Sequence, residues 1–170
     1  MSADWDRKGG DKAVEIGSAL LKRGVGTRLV IIGDAPKHVR EIPFVEAKGF
    51  LRKTEPAQLA EICRAYSEAH FLVLPTSADA SPIVFSECRA FGVPPITHSV
   101  GRTESAITHG QTGLLLPLEA SADQFAEELL AYLHKPALYR ELSHQCRDWY
   151  IHEAQWNNWS RLIVKLAQDA

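Results

Sequence analysis

Two acids eight positions apart, Asp79 and Glu87, frame the stretch of this sequence best equipped for chemistry. An apolar run ending at Pro75 precedes them, and Ala80, Ser81 and Pro82 between them have the composition of a helix entrance. With Pro82 in the first helical turn, where an N–H lacks a helical partner anyway, the amides near Ala80 and Ser81 stay free to face an anion. Glu87 then lies more than a turn inside the helix, with its carboxylate on the sheet side. A carboxylate beside a pocket can accept hydrogen bonds from both hydroxyls of a ribose or from a sugar. The plainer alternative is that Asp79 caps a turn and Glu87 is solvated.

A second stretch, Asp6-Arg7-Lys8-Gly9-Gly10-Asp11, sets two cations and two glycines ahead of a helical pattern. Glycines let backbone amides approach an anion, a helix N-terminus adds partial positive charge, and a lysine supplies a point charge. This makes a diphosphate clamp, although such turns more often serve as solvated loops. A third stretch runs from Val100-Gly101-Arg102-Thr103-Glu104-Ser105 to His109-Gly110-Gln111-Thr112-Gly113. Its glycines suit a tight connection into a strand and carry little chemistry of their own.

The elements that must position these loops alternate between short β-rich runs and longer segments of helical period, the pattern of βαβ units. Strands are expected at Arg28 to Ile32, Phe44 to Phe50, Phe71 to Leu74, Pro95 to His98 and Gly113 to Leu116. They are almost continuously apolar, as strands covered on both faces should be. In an open α/β sheet, ligands bind beyond the carboxyl ends of such strands, which is where the informative loops fall.

Val14, Gly17 and Leu21 share one helix face before a stop at Gly24. Leu59, Ile62, Cys63 and Tyr66 form another after a capping Thr54. Ser121 and Gln124 read as a capping box for a helix burying Phe125, Leu129 and Leu133. Pro136 opens a helix carrying Leu138, Leu142, Cys146 and Trp149, and a last amphipathic piece carries Trp156, Trp159, Ile163 and Leu166. The indoles are expected to be packing anchors. The predicted class is therefore α/β: a Rossmann-like, doubly wound parallel sheet with helices on both faces and a helical C-terminus, forming a single domain over residues 1–170.

One feature of the order stands out. A doubly wound sheet opens with the strand that becomes its centre, yet only Ser2 to Trp5 precede the first helix. Either those residues form a stub, or the central strand lies upstream.

Composition narrows the function. With 45% hydrophobic and 24% charged residues, the 170-residue chain has the balance of a globular domain. A net charge of −2 leaves no basic excess for non-specific nucleic-acid binding or for holding an anionic membrane. The apolar runs are strand-sized, so no transmembrane segment is expected. The first residues lack a signal-peptide core, which points to a cytoplasmic location. Three scattered cysteines, Cys63, Cys88 and Cys146, are expected to be reduced core residues, and the seven histidines show no metal-ligand spacing.

Taken together and in order, several stretches resemble the C-terminal, nucleotide-sugar-binding domain of the retaining glycosyltransferases of family 4, which have the GT-B fold. They are Lys8-Gly9, Arg28 to Gly33, Leu74-Pro75-Thr76-Ser77, Asp79 to Glu87, Ala90-Phe91-Gly92-Val93-Pro94, Val100-Gly101 and Gln111 to Pro117. The resemblance covers nearly the whole chain. It implies a hexosyltransferase-type enzyme using a UDP or GDP sugar in carbohydrate biosynthesis, without a metal or other cofactor.

By the same resemblance, Lys8, helped by Arg7 and Gly9, contacts the donor diphosphate. Asp79 holds hydroxyls of the transferred sugar, Ala80 and Ser81 bring amides near the phosphate, and Glu87 binds the ribose. The backbone around Phe50, Leu51 and Arg52 lies near the base. Asp79 and Lys8 are the residues implied to act in catalysis. The chain departs from the family where Asp79 and Ala80 replace a glutamate and a glycine, and where Ser105 replaces a glutamate, with Glu104 adjacent. A partner arginine of the clamp would fall near Ser2.

The acceptor, whether a sugar, a lipid or a polysaccharide, belongs in this family to an N-terminal domain. The isolated chain is therefore expected to be nearly inactive, with the full-length protein either cytoplasmic or peripheral at the membrane. Two alternatives remain: a sugar-nucleotide epimerase on the same architecture, and a stand-alone nucleotide-sugar-binding or regulatory module.

Overall fold

Runs of Leu, Val and Ile bounded by Gly or Pro form the expected short strands. A computed structural model describes residues 4–78 and 83–154. Within them, β1 spans Leu29–Ile32, β2 Val45–Gly49, β3 Leu72–Leu74, β4 Pro95–His98 and β5 Leu114–Leu116. All pairings between these strands are parallel. The helices between them are α1 (Gly10–Lys22), α2 (Lys37–Arg40), α3 (Pro56–Glu68), α4 (Ile83–Ala90) and α5 (Thr103–Ala106). Helices α6 (Ala122–Leu133) and α7 (Pro136–Trp149) follow, and α7 runs into a π-helical turn at Tyr150–Ala154. The α/β class and the parallel, helix-covered sheet are those expected.

The sheet is in two pieces among the described residues. β1 pairs with β2, and β3 with β4 and β5, while no strand joins the outer edge of β1 to that of β3. Asp4 and Trp5 form no strand, and the rest of the expected stub lies outside the described residues.

Helix α1 holds the two pieces together. On one side Ile16 and Leu20 enter the main core with Ile96, Leu114, Phe125 and Leu129. On the other, Gly17 lets the Phe44 ring come so close that a Cβ would sit 2.6 Å from it. The buried set is Ile16, Gly17, Ala19 and Leu20, whereas Leu21, expected on the core face, is 40% exposed. The stripe is rotated because α1 must reach α6 and the strands at once.

Tyr66 of α3 stacks on Phe91, the residue that follows α4, with ring centroids 5.5 Å apart. Phe85 and Cys88 of α4 are buried outside the main cluster, as expected for helices on the second face. Of the α3 stripe only Ile62 is fully buried. Leu59 is exposed and Cys63 partly so, because α3 covers the half-open β1–β2 pair. Its N-cap is Glu55 rather than Thr54, and Pro56 starts the helix without a side-chain cap.

The capping box of Ser121 and Gln124 forms as expected. In α6 the buried residues are Phe125, Ala126, Leu129 and Tyr132, with Leu133 at the margin. Leu142 and Cys146 are buried in α7, while Leu138 is exposed. Trp149 packs over the Arg89 guanidinium, 4.4 Å from its ring centroid, and so acts as an anchor. Trp156, Trp159, Ile163 and Leu166 lie outside the described residues.

Candidate functional site

The Lys8–Gly9 turn is built by hydrogen bonds running back to the segment before it. The Lys8 amide donates to the Asp4 carbonyl at 2.9 Å and the Gly10 amide to Trp5 at 3.0 Å. Gly9 takes φ +71°, and a Cβ there would lie 2.1 Å from the Pro75 carbonyl oxygen. Only glycine fits, because the turn sits directly on the carboxyl end of β3. Helix α1 starts at the next residue, so its N-terminus lies beside this end of the sheet.

Arg7 ties the same turn to the loop after β3. Its carbonyl accepts from the Ser77 amide at 2.9 Å and from the Thr76 hydroxyl at 2.8 Å. Its guanidinium donates to the Ala78 carbonyl at 2.7 Å and pairs with Asp4 at 2.9 Å. The fold thus brings two separate sequence features, the basic glycine turn and the start of the acidic loop, into direct contact. Asp79, Ala80 and Ser81 follow Ala78 immediately but lie outside the described residues, as does Pro82.

A cleft of about 300 Å³ opens beside this contact, lined by Asp6, Gly9, Lys12, Ser77 and His98. Lys12 donates to the Ala120 carbonyl at 2.9 Å, which anchors its ammonium on the wall. The His98 ring is buried, with Nδ1 3.1 Å from the Thr76 carbonyl. A carbonyl can only accept, so Nδ1 carries the proton, while Nε2 has no hydrogen-bond partner among the described residues. Burial holds the pKa of His98 below its usual value of 6.5, and nearby Lys12 adds to the effect. Neither Lys12 nor His98 was singled out from sequence. His98 reads there as a strand residue, and only the strand end it occupies could have flagged it.

Glu87 belongs to a second cleft of about 210 Å³, lined by Lys53, Tyr66, Glu87, Phe91 and Tyr150. Its carboxylate pairs with the Lys53 ammonium and accepts from the Tyr66 hydroxyl at 3.3 Å. Burial, with the adjacent carboxylate, pushes the Tyr66 pKa well above the ordinary phenol range. Tyr66 therefore stays a donor to Glu87. The loop that carries Lys53 also holds Leu51 and Arg52, and the Arg52 amide donates to the Gln58 side chain at 2.6 Å. Glu87 and the segment expected near a base are thus neighbours, whereas Lys53 was missed because its partner is 34 residues away.

The third loop is closed by its own hydrogen bonds. Thr103 is buried and closes the turn after β4 with bonds to His98 and Val100, both 2.8 Å. Ser99 donates to Glu104, while Ser105 turns back to the Arg102 carbonyl. Among the described residues no cluster of three metal-ligating side chains occurs, and no helix is long and apolar enough to cross a membrane.

The sequence pattern of the family described as glycosyl transferases, group 1, matches residues 5–149. The chain belongs to that family. It is 26% identical over 161 residues to the D-inositol 3-phosphate glycosyltransferase of Pseudarthrobacter chlorophenolicus, a match covering 91% of this chain but 37% of that protein. The chain therefore spans little more than a third of this curated relative.

Among solved structures, sucrose-phosphate synthase from Thermosynechococcus elongatus matches with TM-score 0.74 and 22% identity, over 96% of this chain and 42% of the other. HepE from Anabaena, solved in complex with UDP and glucose, matches with TM-score 0.75 and 13% identity, over 97% and 46%. At these identities the structures establish the shared fold, the Rossmann-like domain of GT-B glycosyltransferases.

Proposed function

We propose that this group 1 glycosyl transferase chain is the donor-binding domain of a retaining, family 4 type enzyme that takes a hexose from a nucleoside diphosphate. The observation that carries the reading is the docking of the Lys8–Gly9 turn on Pro75, with Arg7 bound to Thr76, Ser77 and Ala78. That contact sets a cation pair and a helix N-terminus beside the entrance to Asp79, beyond the carboxyl ends of the strands. The UDP and glucose bound by the structurally similar HepE support this choice of donor class.

In this reading Lys8, Arg7 and Gly9 hold the diphosphate and stabilise the charge that develops as it departs, without a metal. Asp79 takes hydroxyls of the sugar, and the amides of Ala80 and Ser81 approach the phosphate. Glu87 binds the ribose by exchanging its present bonds to Lys53 and Tyr66 for ribose hydroxyls, with the base against Leu51 and Arg52. The acceptor is bound by a further, N-terminal domain, so the 170-residue chain alone transfers little or no sugar. The parent enzyme works in the cytoplasm or at its membrane surface.

Calorimetric titration with UDP, GDP and ADP tests the assignment. The wild-type chain should bind one of them, with Lys8→Ala and Glu87→Ala each weakening binding by about tenfold or more, the loss of a hydrogen bond to a charged group. A folded chain that binds none of the three nucleotides would sink it.

A further inference from the structure

Both oxygens of the Glu87 carboxylate are engaged by groups of the chain itself. Oε1 pairs with the Lys53 ammonium, and Oε2 accepts from the Tyr66 hydroxyl at 3.3 Å. The second bond is long for an O–H···O contact and competes weakly with another donor. Its ring is fixed by stacking on Phe91 and by the wall it shares with Ile62, Ala90 and Tyr150. The ammonium is the stronger partner and also the movable one. It sits at the end of four methylenes, and the Lys53 side chain is 57% exposed, so water can take over its hydrogen bonds.

The pair also joins two parts of the fold. Lys53 lies in the loop after β2, where the Glu55 amide donates to the Arg52 carbonyl at 3.2 Å and the Arg52 amide to the Gln58 side chain at 2.6 Å. Those bonds fasten the loop to the first turn of α3 and hold Lys53 opposite α4, which carries its partner 34 residues further on. The segment of Leu51 and Arg52 is thereby tied to Glu87.

We propose that Lys53 is a latch on Glu87, which a vicinal diol must release in order to bind there. This role rests on Glu87 being the ribose ligand, as proposed above. A carboxylate that accepts both hydroxyls of a ribose uses an acceptor position on each oxygen, and Oε1 is the oxygen that Lys53 holds. Exposed ion pairs contribute little, so the latch lowers affinity by a small factor and gives way to the right ligand. Its release also unties the loop carrying Leu51 and Arg52, which couples the base side of the site to the ribose side. The sign of the effect is diagnostic. Deleting a cation that attracts the diphosphate weakens nucleotide binding, whereas deleting a latch strengthens it.

Calorimetric titration of the wild-type chain, Lys53→Met and Lys53→Arg with UDP, GDP and ADP, and with the 2′,3′-dideoxy forms of the same nucleotides, tests this. Methionine keeps an apolar stem and has no donor. Lys53→Met should bind the ribonucleotide about two- to fivefold more tightly than wild type, the range set by an exposed pair. Its affinity for the dideoxy form should be unchanged, because that ligand leaves the carboxylate alone. Lys53→Arg, which restores a donor to Glu87, should bind no more tightly than wild type. The urea unfolding transition of each variant reports that it is folded. Unchanged or weaker ribonucleotide binding by a folded Lys53→Met chain overturns the latch and leaves the donor-site reading standing. Equal tightening towards both ligands overturns it too, since the gain then does not pass through the diol, as does tightening by Lys53→Arg. A wild-type chain that binds none of the nucleotides removes the role of Glu87, and the latch falls with it.

Discussion

Leu114–Leu116 in the β3–β4–β5 flank and Leu29–Ile32 in the β1–β2 flank are both aliphatic runs, yet they differ in burial. Leu114 and Ile96 are fully buried between α1, α6 and the neighbouring strands, whereas Leu29 to Ile31 are half-buried. What differs is the number of layers completed around each. Helices α1, α6 and α7 close over one flank, while the other is held by buried Ala35 and Val39 where α2 packs on β2, by the contact of Gly17 with Phe44 and by the surface pairs Arg28–Glu68 and Lys48–Glu61. Exposed pairs of this kind contribute little, about 0–1 kcal/mol. The closed flank holds the larger buried cluster, and the open flank supplies the loop that carries Lys53.

The contrast breaks first at Arg89. This side chain is 1% exposed and donates to the carbonyls of Thr112 and Ala106 at 2.8 and 2.7 Å, beneath the Trp149 ring. Burial lowers its pKa, yet a guanidinium keeps its charge in the neutral range, so it ties α4, α5, the turn before β5 and α7 together as a cation. Arg89→Ala should cost about 3–5 kcal/mol in urea unfolding, from the cavity and two orphaned carbonyls. A loss under 1 kcal/mol would mean the closed flank is not the stabilising one.

A matched pair of truncations sharpens the comparison. Leu114→Ala should lose about 2–5 kcal/mol, the range for a buried leucine. Ile32→Ala, at a position 40% exposed, should lose about 1 kcal/mol because less apolar area leaves water on folding. Equal losses would show that the open edge is covered in solution.

A smaller effect is expected from pH. His98 is 3% exposed and its folded pKa is depressed below 6.5, chiefly by burial. Below the unfolded pKa the unfolded chain takes up a proton that the folded chain resists, so this contribution is present above about pH 6.5 and is lost as pH falls towards the folded value. His98→Gln should flatten the fall in stability between about pH 7 and pH 5, read by denaturant midpoints.

The least demanding check is chemical. Burial pushes the Cys146 thiol up to about 12 and raises Cys88 as well, while Cys63 is only partly buried. Alkylation followed by mass spectrometry should mark Cys63 well before the other two.

Much of this was legible from residue order, because strands and caps are written locally. Pro95 to His98 forms β4 with the expected ends, and Ser121 caps α6 through Gln124 as the spacing suggested. The basic turn could be recognised as glycine-rich, but its glycine requirement follows from the Pro75 carbonyl, which lies 66 residues further along the chain. The Thr54 cap and the Leu21 and Leu138 positions were misread because periodicity gives the pitch of a stripe and not which neighbour covers it. Lys53, Lys12, His98 and Arg89 carried no local signal, since each takes its meaning from a partner far away in sequence.

By itself, then, the sequence determined the class, the element order and the chemistry available at the strand ends, because apolar periodicity, glycine and proline act over a few residues. Tertiary structure alone decided that Arg7 meets Ala78, that Glu87 faces Lys53 and Tyr66, and that among the described residues no strand pairs β1 with β3. Those outcomes depend on which edges and faces find partners, and a linear pattern does not encode what lies opposite it.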